Sequence, residues 1–123
     1  MPKSIPADAV STGDPYSEIV EASGLVFVAG QIGIGRDQRA EEVPFQDEVR
    51  AMFGRVEAAL ARVGLGLDSV VRCTVYLTDF ETFAQMNDVF RSVFPTQPPA
   101  RATVGVTRLA RDCRIEVEVT AAR

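Results

Sequence analysis

The sequence predicts an α+β fold: a mixed β-sheet with two helices on one face, its elements in the order ββαβαββ. Two stretches repeat apolar residues at helical spacing. Five others alternate with period two or run apolar over strand length. The chain of 123 residues has the length of one domain, with no linker, repeat or low-complexity tract to divide it.

The first 15 residues are polar, with prolines at positions 2, 6 and 15, and predict an irregular arm. A strand is expected at Glu18–Ala22 and a tight turn at Ser23-Gly24. Leu25–Ala29 is apolar throughout, which predicts a strand buried on both faces. Gly30–Arg39 reads as a loop rich in glycine and charge. Pro44 suits the first turn of a helix, and Asp47 and Glu48 suit its positive N-terminal end. Phe45, Val49, Met52, Phe53, Val56, Leu60 and Val63 form the apolar stripe, and Gly64 stops it. Val70–Leu77 alternates, with Val71, Cys73, Val75 and Leu77 on one face. Thr78-Asp79-Phe80-Glu81 has the pattern of a capping box opening a second helix. Its stripe is Phe83, Met86, Phe90 and Val93, and Pro95 blocks continuation.

The last two strands, Ala100–Val106 and Cys113–Ala121, both alternate. Arg101, Thr103 and Gly105 share one face of the first. Ile115, Val117 and Val119 face the core from the second, leaving Arg114, Glu116, Glu118 and Thr120 opposite. Paired as an antiparallel hairpin, the strands bring Arg101 near Glu116 or Glu118, according to register. A guanidinium, a hydroxyl and a carboxylate then converge on the sheet face away from the helices. That face has no cover, and an open apolar face is a liability, so self-association is expected.

Formal charge is −4 with a pI near 4.8, and the basic residues are scattered, so no electrostatic footprint for nucleic acid exists. Cys73 and Cys113 sit in strand-like apolar runs and read as reduced core thiols. With no histidine, a metal site would lack its commonest ligand, and a serine or cysteine triad would lack its base. Gly30, Gly33 and Gly35 do not lead directly from strand to helix, so they make no phosphate cradle. No stretch resembles a signal peptide or approaches the roughly 20 apolar residues that span a bilayer. A cytoplasmic protein without membrane partners is expected.

Arg101 offers a planar fork for a carboxylate; its alternative is a surface or interface arginine paired with Glu118. Glu116, between Ile115 and Val117, could act as general base or proton relay; its alternative is a solvated outward glutamate. The stretch R-A-T-V…R-L…D-C-R-I-E-V-E, with A-G-Q-I at Ala29–Ile32, D-P-Y at Asp14–Tyr16 and N-D-V-F-R-S-V-F-P at Asn87–Pro95, resembles the reactive intermediate deaminase (RidA/YjgF) family. Order and spacing match over nearly the whole chain.

The resemblance implies a bacillary chorismate-mutase-like fold, assembled as a homotrimer with active sites in the clefts between subunits. It implies Arg101 as the carboxylate clamp and Glu116, not Glu118, as the catalytic glutamate. Tyr16 would close over the ligand, Asn87 would support the cleft, and Gly30 would bring backbone close to the ligand. Thr103 stands where relatives carry cysteine or serine, so no nucleophilic thiol is essential. Three residues depart from the family pattern. Asp14 replaces a glycine and Ala29 a serine, both expected at the cleft; Ala110 replaces a proline and is expected to touch only the hairpin connection.

The activity implied is cofactor-free hydrolysis of 2-imino acids to 2-keto acids and ammonia. Alternatives are a specialised deaminase, for example for 2-aminomuconate, or a non-enzymatic 2-keto-acid-binding or chaperone-like trimer. Ribonuclease activity fits poorly with the acidic charge and the absent histidine.

Overall fold

The computed structural model describes residues 3–5 and 13–123, so most of the expected N-terminal arm lies outside the described residues. The elements are β1 (Ile19–Ala22), β2 (Leu25–Ile32), α1 (Phe45–Ala61), β3 (Val70–Leu77), α2 (Phe83–Val93), β4 (Ala100–Gly105) and β5 (Ile115–Ala122). They form one five-stranded sheet in the order β1-β2-β5-β3-β4. β3 and β4 are parallel and the other neighbours antiparallel, so the sheet is mixed, as expected. Ser4 adds an isolated bridge to Glu21 of β1.

Local chemistry accounts for most boundaries. Ser23 and Gly24 both take left-handed φ (52° and 77°), which closes β1 and β2 into a two-residue hairpin. Pro44 caps α1, whose Asp47 and Glu48 lie in the first turn. The cap before α2 belongs to Asp79 rather than to the expected capping box. Asp79 Oδ1 accepts the Glu81 N–H at 3.0 Å, and a short 3₁₀ turn, Phe80–Thr82, precedes the helix.

The core lies between the helices and one sheet face. Val26, Val28, Cys73, Val75, Leu77, Ile115, Val117 and Val119 pack against Val49, Met52, Phe53 and Val56 of α1 and Met86, Val89 and Phe90 of α2. Phe53 meets Phe90 and Phe94 edge-on, with centroids 5.8 and 5.6 Å apart. Cys73 and Cys113 are both free and buried. Among the described residues, no helix is long and apolar enough to cross a membrane.

Four expectations are corrected. β4 and β5 do not form a hairpin, because β3 lies between them. α2 returns the chain to the start of β3, so β4 pairs parallel to β3, the arrangement a helical crossover produces. Val71 is exposed, not a core residue: the register shifts between Val70 and Arg72, and Val70 is buried instead. β2 extends past Ala29 to Ile32 across a second shift, between Val28 and Gln31. Phe27 of β2 is 43% exposed, on the face away from the helices, which no element among the described residues covers.

The core also contains a charge that the apolar stripe of α1 did not include. Glu48 is fully buried. Its carboxylate accepts Arg114 Nε at 2.6 Å and the Arg114 backbone N–H at 2.8 Å. Arg114 donates in addition to the Val43 carbonyl, and its guanidinium lies 5.6 Å from the Phe45 ring centroid. Removing one partner of a buried pair strands the other, which costs about 3–5 kcal/mol. Glu48→Ala is expected to lower stability by about 3 kcal/mol or more in urea unfolding. A loss below about 1 kcal/mol, ordinary for an exposed pair, would show that the pair is dispensable.

Candidate functional site

β5 runs between β2 and β3, so Glu116 pairs with Ile32 on one side and Tyr76 on the other, on the sheet face away from the helices. A Cβ on Gly30 would stand 2.2 Å from Glu116 Oε2, so the carboxylate occupies the space that a side chain would fill. Tyr16, Gly30 and Glu116 line one cavity of about 540 Å³ together with Asp14. Tyr16 is 60% exposed at its wall. Burial raises the pKa of Glu116, and the nearby charge of Glu118 raises it further. Glu118, two residues on, is engaged elsewhere: its Oε1 accepts the Tyr76 hydroxyl at 2.7 Å.

Arg101 points the other way. It pairs with Cys73, which pairs in turn with Val119, so it shares the helix-facing side of the sheet. Arg101 Nη1 donates to Asn87 Oδ1 at 2.8 Å, and the guanidinium carbon lies 4.6 Å from the Phe90 centroid and 5.5 Å from that of Phe83. α2 thus holds the fork from one edge and flanks it with rings, a cation–π setting suited to guanidinium. Burial lowers its pKa, but an arginine stays cationic from so high a starting value. Thr103, two residues along β4, has a buried hydroxyl with no hydrogen-bond partner among the described residues.

The predicted site residues therefore fall into two groups. Tyr16, Gly30 and Glu116 meet at one cavity, while Arg101 and Asn87 line a second cleft with Phe90, Phe94 and Pro98. The convergence of Arg101 with Glu116 within one chain is overturned. With β3 between the strands, paired residues share a face, and Glu116 aligns with Tyr76 and Val104 rather than with Arg101. The same geometry removes the pairing of Arg101 with Glu118.

Ala110, expected only at a connection, lines the Glu116 cavity. Three arginines on its walls, Arg36, Arg55 and Arg111, carried no sequence signal, because one lies in a loop, one in a short 3₁₀ turn and one at an α1 position outside the apolar stripe. Glu48 did carry one: it falls three residues after Phe45 and four before Met52, inside the apolar stripe. Burial pushes the Cys73 thiol up to about 12 and that of Cys113 to about 11, which keeps both protonated and unreactive near neutrality. Among the described residues, no group of three or more His, Cys, Asp or Glu is placed to hold a metal ion.

A five-stranded mixed sheet backed by two helices, with a glycine-lined carboxylate cavity on its open side, defines a class of small α+β proteins. The family model described as Endoribonuclease L-PSP matches residues 6–123, and the chain belongs to this family, which is the RidA/YjgF family. A RutC family protein of Aquifex aeolicus is 35% identical, with 89% of each chain covered. A 2-iminobutanoate/2-iminopropanoate deaminase of Dermatophagoides farinae is 33% identical, covering 85% of this chain and 82% of that one. The crystal structure of a conserved Rid-family protein of unknown function, YyfA from Yersinia pestis, superposes with a TM-score of 0.87 at 29% identity, covering 99% of this chain and 100% of that one.

The raised pKa of Glu116 has a consequence for stability. The folded chain holds this proton more tightly than the unfolded chain, so the stabilising contribution is complete below the unfolded value, about 4.3, and is lost as pH rises through the folded value. Glu116→Gln keeps the group neutral. It is expected to raise Tm relative to wild type at pH 8, with the gain shrinking as pH falls toward 4. Calorimetry at several pH values checks this; a pH-independent difference would contradict it.

Proposed function

We propose that the protein hydrolyses 2-imino acids, formed from enamines such as 2-aminoacrylate, to 2-keto acids and ammonia. The observation that carries this reading is the desolvated carboxylate of Glu116 set against Gly30 in an open cavity. The name of the mite relative supports it. In this reaction Arg101 holds the substrate carboxylate through its paired N–H groups. Glu116 takes a proton from water, whose oxygen bonds to the C=N carbon, and the nitrogen receives a proton. The resulting carbinolamine expels ammonia as the C=O bond forms. A carboxylate with a raised pKa is better matched to moving protons near neutrality than an ordinary one.

Because Arg101 and Glu116 face opposite sides of one sheet, the reading requires a second copy of the chain to unite them. The partner we infer is the chain itself, as a homotrimer closed over the open sheet face. Phe27 and Val104, 43% and 41% exposed, both lie on that face and support this cover. Tyr16 would then lie over the ligand, with Asn87 and Thr103 on the Arg101 side. The acidic charge favours neither nucleic acid nor an anionic membrane surface. Two free buried thiols fit the reducing cytoplasm.

The decisive assay is ammonia release from 2-iminopropanoate generated in situ. Arg101→Lys keeps the charge but loses the fork, and should cost at least tenfold in kcat/KM, about 1.4 kcal/mol. Glu116→Gln should lose on the order of 10²-fold in kcat while still binding a 2-keto acid. Glu118→Gln should turn over like wild type. Keto-acid binding without turnover by wild type would make the protein a binding module instead. Sedimentation equilibrium at micromolar concentration should give three times the 13.3 kDa chain mass; a stable monomer would remove the shared site.

A further inference from the structure

The chain has twelve arginines, its thirteen basic residues less Lys3. Among the described residues, seven of them lie within ion-pair distance of a carboxylate. Of the five that do not, Arg101 is the proposed clamp and Arg72 lies on the open sheet face. The remaining three, Arg36, Arg55 and Arg111, all line the Glu116 cavity. Cations on a protein surface are ordinarily scattered among acidic neighbours, so three guanidinium groups without an ion-pair partner among the described residues, around one cavity, point to an anionic ligand.

Two of the three are fixed by local structure. Arg55 Nη1 donates to the Ile34 carbonyl at 3.3 Å, which fixes the group and leaves other N–H donors available. Arg111 adopts a left-handed conformation (φ 55°), followed by Asp112 (φ 52°), a local cost that non-glycine residues rarely accept. Arg108 ties this turn by an ion pair to Asp112 at 3.2 Å. The carboxylates on the same walls are Asp14, Glu18 and Glu116, and Glu18 is already met by Arg62 at 2.9 Å.

We propose that the Glu116 cavity takes the second carboxylate of a 2-imino dicarboxylic acid. Arg101 holds the carboxylate next to the C=N carbon, and Arg36, Arg55 and Arg111 hold the one at the far end of the side chain. The assignment rests on the imine-hydrolysis reading for its reacting group. The cavity, about 540 Å³, falls within the range of small-molecule clefts and exceeds what a three-carbon acid fills.

Calorimetric titration of the full-length protein with 2-oxobutanoate and 2-oxoglutarate, product analogues with one and two carboxylates, tests it. Wild type should bind 2-oxoglutarate at least tenfold more tightly. Arg36→Gln combined with Arg111→Asn, where asparagine tolerates the left-handed backbone, should bring the ratio of affinities below about threefold. Should the double variant fail to fold by circular dichroism, Arg36→Gln alone, on an exposed loop, should cut the ratio by at least threefold. Arg50→Gln, an exposed charge change on the outer side of α1, should leave the ratio as in wild type. Equal affinities in wild type, or a ratio unmoved by the cavity variants, would overturn the proposal. Ammonia release from 2-iminobutanoate in parallel separates the two readings. Turnover without a dicarboxylate preference defeats this inference alone. A variant-sensitive dicarboxylate preference without turnover of either the mono- or the dicarboxylic imine supports the anion subsite and defeats the hydrolase reading.

Discussion

Everything in this molecule is arranged around β5, a strand with a neighbour on each edge. Pairing with β2 on one side and β3 on the other satisfies its backbone groups in both directions, which allows the strand to be buried at the sheet centre. Its side chains then divide by pleat alone. Ile115, Val117 and Val119 enter the core, and Glu116 and Glu118 cannot follow them. The acidic pair is confined to the uncovered face because the apolar trio takes the other.

That confinement separates two carboxylates of the same type. Glu118 meets the Tyr76 hydroxyl on the open face. Glu116 meets Gly30, where the absence of a side chain lets the β2 backbone pass close to one carboxylate oxygen. Desolvation beside a glycine, with a second carboxylate near, disfavours the ionised form. The chemistry proposed for the protein uses this difference. On the opposite face, two rings of α2 and Asn87 fix Arg101 in a setting that Glu116 never enters within the same chain.

The start of β5 is fixed by a polar clip rather than by apolar packing. Glu48, on the first turn of α1, binds both the side chain and the backbone N–H of Arg114, two residues before Glu116. Close to the same point, a Cβ on Gly33 would stand 1.9 Å from the Glu48 carbonyl oxygen, so β2 leaves the sheet in direct contact with the helix. A buried charge is costly unless fully paired. Here the pair joins the start of α1 to the start of β5, and the Gly33 contact brings the end of β2 to the same point.

Local chemistry in the sequence determined much of this. The stripes of α1 and α2, the alternation of β3, β4 and β5, and the Ser23-Gly24 turn depend on spacing and backbone preference, both legible from single residues. The motifs around Arg101, Glu116 and Gly30 were enough to indicate the family. Strand partners were not legible, because period two says which residues share a face of one strand but not which strand lies beside it. Only the folded chain inserts β3 between β4 and β5, turns Arg101 toward α2, and exposes Val71 through a one-residue shift. The arginines around Glu116 come from a loop, a helix and a left-handed turn far apart in sequence. No periodicity links such residues; their meeting is a property of the tertiary structure alone.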